Sequence, residues 1–192
     1  MITGLIGLNG AGKTTHLRHL HDRVPGAYLP DHPCIPLELS ACELLTRVGL
    51  MKKIPEAKQR AQSLCRALLI DGACERPVST YSAGNYKKTA IATVLLQRPA
   101  IAYLDEPLET VDSIARERVM EIFRTISAAG SSLFISTQDI DLCMSFDYVQ
   151  VFAQLTIVAE GTPEEVLGTN PRQRFFELTG ARLPQEELGW LK

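Results

Sequence analysis

The chain has 192 residues, 45% of them apolar and 22% charged, with a formal net charge of −2 at pH 7. This is the composition of an ordinary globular domain, and a chain of this length folds without disulfides or a structural metal. The near-neutral charge argues against nucleic acid as a partner and against a polybasic membrane-binding surface. Five cysteines without C-x-x-C spacing predict reduced, small apolar side chains in a cytosolic protein.

Short apolar runs alternate with longer amphipathic segments along most of the chain. The runs predict strands at residues 2–7, 26–29, 100–104, 131–136, 148–152 and 155–159. The amphipathic segments predict helices at residues 14–23, 38–50, 55–71, 84–97, 112–129 and 139–145, and a mostly helical tail from residue 163. Strands that alternate with helices indicate an α/β fold with a parallel sheet.

The alternation is interrupted once, by a stretch that is predicted to be entirely helical. We interpret residues 34–76 as a helical insertion into an α/β core made of residues 1–33 and 77–165. Residues 166–192 form the helical tail of this single domain. The apolar runs are strand-sized, which predicts no membrane-spanning helix.

Residues 7–14, Gly-Leu-Asn-Gly-Ala-Gly-Lys-Thr, fit the pattern G-x-x-x-x-G-K-[ST] between a predicted strand and a predicted helix. The glycines allow successive N–H groups to point at phosphate oxygens, and the helix start adds the positive end of its dipole. Lys13 supplies a charge for the β- and γ-phosphates, and the Thr14 hydroxyl is a candidate Mg²⁺ ligand. The predicted nucleotide-binding residues are Asn9, Gly10, Ala11, Gly12, Lys13, Thr14 and Thr15.

The predicted strand at 100–104 ends in two carboxylates, Asp105 and Glu106. Because the carboxyl ends of parallel strands line the ligand crevice, we expect both side chains beside the phosphate loop. Asp105 is a candidate Mg²⁺ ligand, and Glu106 is the candidate general base that activates a water molecule.

Further segments support one family. Residues 81–85, Tyr-Ser-Ala-Gly-Asn, resemble the signature segment L-S-G-G-Q, and Asp112 matches the aspartate of a D-loop. Gln138 falls at a strand end where a switch histidine is usual, and residues 160–165 match a typical C-terminal stretch. With the phosphate loop and the acidic strand end, the chain resembles the ATP-binding subunits of ABC transporters, with a P-loop NTPase core of the RecA-like type.

The resemblance implies a mechanism that uses ATP and Mg²⁺. Two ATPase chains, identical or different, would sandwich two nucleotides head-to-tail. The signature of one chain would close over the γ-phosphate bound by the other, through Ser82, Ala83, Gly84 and Asn85. Closure would drive an integral membrane permease, with the ATPase held on the cytoplasmic face of the membrane. The Tyr-Ser-x-Gly form and residues 175–180 resemble subunits of exporters.

The sequence also departs from the family. Only sixteen residues separate Lys13 from Pro30, where the family places several strands of an antiparallel subdomain that stacks an aromatic on adenine. We therefore expect this subdomain to be largely missing, with Tyr28 or a partner chain as a substitute for the aromatic. Asp31 takes the place of a glutamine that touches Mg²⁺, and it is a third candidate metal ligand. With Gln138 as the second candidate catalytic residue, these changes predict slow turnover.

Two other functions fit parts of the sequence. A degenerate ABC subunit would bind nucleotide and regulate or scaffold a partner with little hydrolysis. A small-molecule kinase would also contain Gly-Ala-Gly-Lys-Thr-Thr, but the signature segment and the Asp105-Glu106-Pro107 strand end argue against it. The three histidines after the phosphate loop (His16, His19 and His21) are interpreted as a helix surface, and Trp190 as a packing residue.

Overall fold

A computed structural model describes residues 1–181 of the chain, and Trp190 lies outside the described residues. One six-stranded sheet has the order β2-β3-β4-β1-β5-β6. The strands are β1 (Ile2–Gly7), β2 (Ala27–Leu29), β3 (Ile101–Asp105), β4 (Ser132–Thr137), β5 (Tyr148–Ala153) and β6 (Thr156–Gly161). All neighbours are parallel except β5 and β6, which form an antiparallel hairpin.

Eight α-helices lie in the described part of the chain. They are α1 (Lys13–Arg23), α2 (Ala41–Met51), α3 (Ala57–Ala67), α4 (Ala83–Leu95), α5 (Ser113–Ala128), α6 (Ile140–Cys143), α7 (Pro163–Leu167) and α8 (Pro171–Thr179). Two 3₁₀ turns, Asp71–Ala73 and Val78–Thr80, lead from α3 to α4. None of the described helices is long and apolar enough to cross a lipid bilayer.

The sheet is covered on both faces, as an internal parallel sheet requires. On one face Leu5, Tyr103 and Phe152 pack with Leu17 of α1. On the other face the alternate strand residues belong to a larger core that includes α4 and α5. All six residues of β1 are buried, which places the start of the phosphate loop at the centre of the sheet.

The predicted α/β fold is confirmed, including the all-helical stretch between β2 and β3 and the strand pair at the sheet edge. Strand β2 begins four residues after the end of α1, so no antiparallel strands lie in that interval. This agrees with the loss of the antiparallel subdomain. The division of the chain into core, insertion and tail remains a prediction.

The helix predicted at residues 55–71 is shorter in the structure, where α3 spans Ala57–Ala67. Pro55 was expected at the first helical position, but Glu56 caps the helix in a left-handed conformation (φ 55°). Close packing explains this, because a Cβ on Gly49 of α2 would lie 2.7 Å from the Cβ of Ala57. The tight α2–α3 connection thus takes up residues that the helix would otherwise include.

The expectation that all five cysteines are reduced is wrong for one pair. Cys42 and Cys74 form a disulfide, with Cα atoms 5.6 Å apart. They are separated by 32 residues in the sequence, so no short spacing motif reveals the pair. The fold brings them together because the Cys42 N–H donates to the carbonyl oxygen of Cys74 at 3.2 Å.

Candidate functional site

The phosphate loop joins β1 to α1 and curls as the motif predicts. Gly10 and Gly12 have φ angles of 76° and 105°, which a side chain would strain. The loop is braced by the turn of the β5–β6 hairpin, where the Leu155 N–H donates to the carbonyl oxygen of Ala11 at 3.1 Å. A Cβ on Gly12 would lie 3.1 Å from the Cα of Leu155. The loop therefore requires glycine for both its conformation and its packing.

Lys13 is buried, and its ammonium lies inside the curve of the loop. Its Nζ donates to the carbonyl oxygens of Gly7 at 2.7 Å and Leu8 at 3.3 Å. The same Nζ lies 3.4 Å from Oε1 of Glu106. A buried ammonium held by carbonyl oxygens and a carboxylate is a preformed anion-binding charge.

Thr14, at the start of α1, and Asp105, at the end of β3, lie next to each other although β4 separates β1 from β3. The Thr14 hydroxyl donates to Oδ1 of Asp105 at 3.1 Å. Ser136 of β4 also donates to this Oδ1, and its hydroxyl accepts the N–H of Glu106 at 3.0 Å. Ser136 thus fixes both acidic residues relative to the loop, and no motif in the sequence predicts this role.

Glu106 has a left-handed backbone (φ 43°) at the end of β3, which turns its side chain towards Lys13. Burial raises the pKa of the Glu106 carboxyl, and the nearby Lys13 ammonium opposes this rise only in part. Among the described residues, the buried Oε1 accepts no hydrogen bond despite its ion pair with Lys13. A carboxylate with an unused lone pair and a raised pKa has the properties of a general base.

Gln138 is exposed and lines a cavity of about 140 Å³ together with Glu106 and Glu109. The cavity wall also contains an ion pair in which Arg116 donates to Oδ2 of Asp139 at 2.7 Å. Gln138 and Glu106 therefore line the same cavity, and their catalytic roles remain predictions. Arg116 and its aspartate were not predicted, because nothing in the sequence around Arg116 distinguishes it from other helix-surface arginines.

The signature segment begins α4 on an exposed surface. The Ser82 hydroxyl caps this helix by accepting the Asn85 N–H at 3.2 Å, and Ala83 is exposed beside it. Gly84 packs closely on the D-loop of the same chain, since a Cβ there would lie 3.0 Å from the carbonyl oxygen of Thr110. Asp112 caps α5 by accepting the Ala115 N–H at 3.0 Å.

Asp31 contacts the signature helix. Its carbonyl oxygen accepts a hydrogen bond from Nζ of Lys87, and its Oδ1 lies 3.4 Å from the same atom. Asp31 also borders a cavity of about 210 Å³ together with Ala83 and Thr110. In the described part of the chain, no hydrogen bond or ion pair joins Asp31 to Thr14 or Asp105. Its role as a Mg²⁺ ligand remains a prediction, and Lys87 is an unexpected partner.

Two other aromatic groups near α1 have structural contacts. Tyr28 of β2 packs against His21, with ring centroids 5.3 Å apart. His16 packs against Phe152 at 5.1 Å, and burial lowers the pKa of its imidazole. Among the described residues, the only group of three or more possible metal ligands within 4.8 Å is made of cysteines, so the histidines of α1 form no such group.

A phosphate loop at the centre of a parallel sheet, bonded through Thr14 to an acidic strand end, defines a P-loop nucleotide-binding protein. The model of the ABC transporter family matches residues 21–109, beginning after the phosphate loop. The chain is similar to a solved structure described as the ATP-binding subunit of an ABC transporter, with a TM-score of 0.75 and 25% identity over 94% of this chain and 83% of that one. In sequence and in fold the chain is therefore similar to the ATP-binding domains of ABC transporters.

Curated relatives agree with this assignment. An uncharacterized ABC transporter ATP-binding protein of Nostoc sp. is 28% identical over 86% of this chain and 57% of its own length. An ABC transporter ATP-binding protein of Methanosarcina mazei is 33% identical over 57% of this chain and 24% of its own length. The energy-coupling factor transporter ATP-binding protein EcfA of Methanocaldococcus jannaschii is 27% identical over 86% of this chain and 70% of its own length. The chain therefore spans only part of the relatives that it matches.

Proposed function

We propose that this chain binds and hydrolyses Mg-ATP as the ATPase subunit of an ABC transporter. The observation that carries the proposal is the junction of Lys13, Thr14, Asp105 and Glu106 at one end of the sheet. In this junction an anion-binding ammonium, a pair of oxygen ligands and a candidate base lie within reach of one phosphate chain. The same junction would serve a subunit that only binds nucleotide, so hydrolysis is the part that requires a test.

The donor atoms fit Mg²⁺. A hydroxyl and a carboxylate oxygen 3.1 Å apart, Thr14 Oγ1 and Asp105 Oδ1, are the hard oxygen ligands that Mg²⁺ prefers. When bound, the ion would neutralise charge on the phosphate oxygens. Ser136 would keep the Asp105 carboxylate in place, because its hydroxyl already donates to Oδ1.

The protein's own residues supply the remaining steps. The N–H groups of the loop at residues 9–15 bind phosphate oxygens, and Lys13 exchanges its contact with Glu106 for the β- and γ-phosphates. Glu106, released from Lys13, accepts the proton of the attacking water at its carboxylate. Gln138 donates from its amide to the γ-phosphate or the water, since it lines the same cavity as Glu106.

A second ATPase chain is proposed because the described site is incomplete in one chain. The exposed start of the signature, Ser82 and Ala83, packs beside Thr110 of its own D-loop and makes no hydrogen bond to the phosphate loop of its own chain. Ile114, beside the D-loop, is 73% exposed. The exposed N-terminus of α4 suits bound phosphate presented by a partner chain, and an exposed apolar side chain such as Ile114 suits burial against that chain.

The partner in the membrane and the direction of transport are also proposals. We expect an integral membrane permease and a location on the cytoplasmic face, since related ATP-binding proteins are named as transporter components. Export is suggested by the Tyr-Ser-x-Gly form of residues 81–84 and by residues 175–180. Relatives named as energy-coupling factor transporter proteins do not favour that direction.

Steady-state ATPase assays over a range of protein concentrations test the proposal. We expect activity that rises faster than linearly with concentration, because two chains build each site. Glu106→Gln should abolish turnover while ATP still binds, and Glu109→Gln, an exposed neighbour in the same cavity wall, is the matched control. ATP binding without hydrolysis in the wild type would instead support the regulatory subunit. Phosphoryl transfer to a small molecule by a monomer would support a kinase.

A further inference from the structure

Three cysteines that are distant in the sequence converge in the helical part of the fold. Cys42 is the second residue of α2, Cys65 lies near the end of α3, and Cys74 follows the first 3₁₀ turn. Their Sγ atoms all lie within 4.8 Å of one another, and all three residues are buried. The Sγ atoms of Cys42 and Cys65 are 3.8 Å apart, while Cys42 and Cys74 form the disulfide.

The backbone around the cluster is held by hydrogen bonds that do not depend on the sulfur atoms. The Cys42 N–H donates to the carbonyl oxygen of Cys74. The Tyr81 hydroxyl accepts the Ala41 N–H at 3.2 Å and donates to the carbonyl oxygen of Ala73 at 2.8 Å. The start of α2 and the Cys74 segment are thus joined by hydrogen bonds in which no sulfur atom takes part.

We propose that the reduced cluster of Cys42, Cys65 and Cys74 binds one Cu(I) ion through three sulfur atoms. Reduction consumes two equivalents of a low-molecular-weight thiol, which leave as its disulfide, while Cys42 and Cys74 each gain a proton. The cation then replaces thiol protons, which are released to solvent. Metal binding and the disulfide exclude each other, because both use the Cys42 and Cys74 sulfurs. A cytoplasmic location, as in the proposed function, would favour the reduced state.

The ligand set selects the ion. Soft thiolates favour Cu(I), zinc and iron–sulfur clusters, whereas structural zinc sites almost always have four protein ligands. Among the described residues, the group contains three cysteines and no fourth His, Cys, Asp or Glu. A three-sulfur site suits a monovalent ion that accepts low coordination numbers.

An entry path and charge compensation are both present. A cavity of about 420 Å³ opens beside Cys42 and is lined by acidic and basic side chains, including Glu43, Glu75, Arg47 and Lys58. The N-terminal end of α2 adds positive potential at Cys42, which stabilises a thiolate there. The charged side chains of the cavity cancel in formal charge, so the N-terminal end of α2 is the group that would offset part of the negative charge of a copper–thiolate site.

The experiment is an anaerobic titration of the reduced full chain with Cu(I) in competition with bicinchoninate. We expect one tightly held Cu(I) per chain, with three sulfur neighbours by X-ray absorption. Cys65→Ser should lower the affinity more than about 100-fold, beyond the roughly 10–100-fold cost of losing an outer-shell partner. Cys34→Ser, at an exposed position outside the cluster, is the matched control and should not change the affinity.

The melting temperature with and without Cu(I) provides a second measurement, which also shows whether each variant is folded. Cu(I) should raise the melting temperature of the reduced wild type and of Cys34→Ser, but not of Cys65→Ser or Cys65→Ala. Equal affinity in Cys65→Ser, fewer than three sulfur neighbours, or a disulfide that survives reductant in the folded protein would each overturn the proposal. None of these readouts requires ATP hydrolysis, so they stand or fall independently of the proposed function.

Discussion

Nζ of Lys87 lies 3.4 Å from Oδ1 of Asp31 and donates a hydrogen bond to the carbonyl oxygen of the same residue. Lys87 is 5% exposed, and a buried ammonium is costly unless a counter-charge accompanies it. The preceding residue of α4 also bonds to the segment after β2, since the Tyr86 hydroxyl donates to the carbonyl oxygen of Pro33 at 2.7 Å. The signature helix therefore holds the segment after β2 through two consecutive side chains.

This ion pair changes the interpretation of Asp31. Asp31→Gln, which restores the residue usual in the family, removes the charge that faces Lys87. We expect it to lower the free energy of unfolding by about 1 kcal/mol, because the pair is partly exposed, and to bring no gain in ATPase rate. Urea unfolding and ATPase assays of Asp31→Gln, Lys87→Gln and the double variant check this. A faster enzyme with unchanged stability in Asp31→Gln alone would contradict it.

The raised pKa of Glu106 predicts that its buried carboxylate lowers the stability of the folded protein by an amount that depends on pH. Because burial lifts the pKa above its ordinary value of 4.5, the folded state binds the proton more tightly than the unfolded state. Stability should therefore fall as pH rises from about 4.5 through the raised pKa. Glu106→Gln should remove this fall from the pH profile of the melting temperature, whatever the lost pair with Lys13 costs at all pH values. Thermal unfolding of the wild type and Glu106→Gln across pH would refute this if the difference between their melting temperatures were the same at every pH.

The geometry of the phosphate loop predicts that ATP affinity is sensitive to a side chain at Gly12 but not at a glycine elsewhere in the chain. Gly12→Ala places a Cβ at φ 105° and 3.1 Å from the Cα of Leu155, so the loop must distort. Gly72→Ala is the control, because nothing lies within 4 Å of the added Cβ. We expect ATP affinity by calorimetry to fall at least tenfold in Gly12→Ala, a loss of about 1.4 kcal/mol or more, and to stay unchanged in Gly72→Ala.

The short α1–β2 interval predicts weak base selectivity. Strand β2 follows α1 without the antiparallel strands that stack an aromatic on adenine in the family, and Tyr28 packs against His21. One lost stacking contact is worth about 1–3 kcal/mol, so ATP and GTP should bind within about tenfold of each other. Calorimetry with both nucleotides measures this ratio. A much larger preference for ATP would reveal an adenine pocket that these contacts do not account for.

The periodic parts of the sequence predicted the fold well. Strand β1, strand β4 and helix α5 all follow from local patterns, and the structure places each within about two residues of its prediction. The start of α3 was predicted wrongly, because its position is set by the contact of Gly49 with Ala57 rather than by Pro55. Such contacts between helices do not change the spacing of apolar residues in the sequence, so the spacing cannot predict them.

The residues of the site could be predicted where they belong to one contiguous motif. They could not be predicted where the site depends on contacts between residues distant in the sequence. The loop and the acidic strand end are contiguous motifs, so their residues could be named from the sequence. Ser136, Lys87 and Arg116 act through contacts to residues 23 to 56 positions away. The Cys42–Cys74 disulfide could not be predicted for the same reason, since only the fold brings the two sulfurs together.

In the proposed dimer each catalytic site combines the phosphate loop of one chain with the signature of another. The decisive measurement is ATP hydrolysis by a mixture of two inactive variants, Lys13→Ala and Ser82→Arg. Each variant alone should be inactive, because every site lacks one half. The equimolar mixture should recover about a quarter of the wild-type rate, since about half of the dimers are mixed and each has one intact site. A mixture as inactive as its components, although Ser82→Arg still binds ATP and both variants are folded by circular dichroism, would contradict the account.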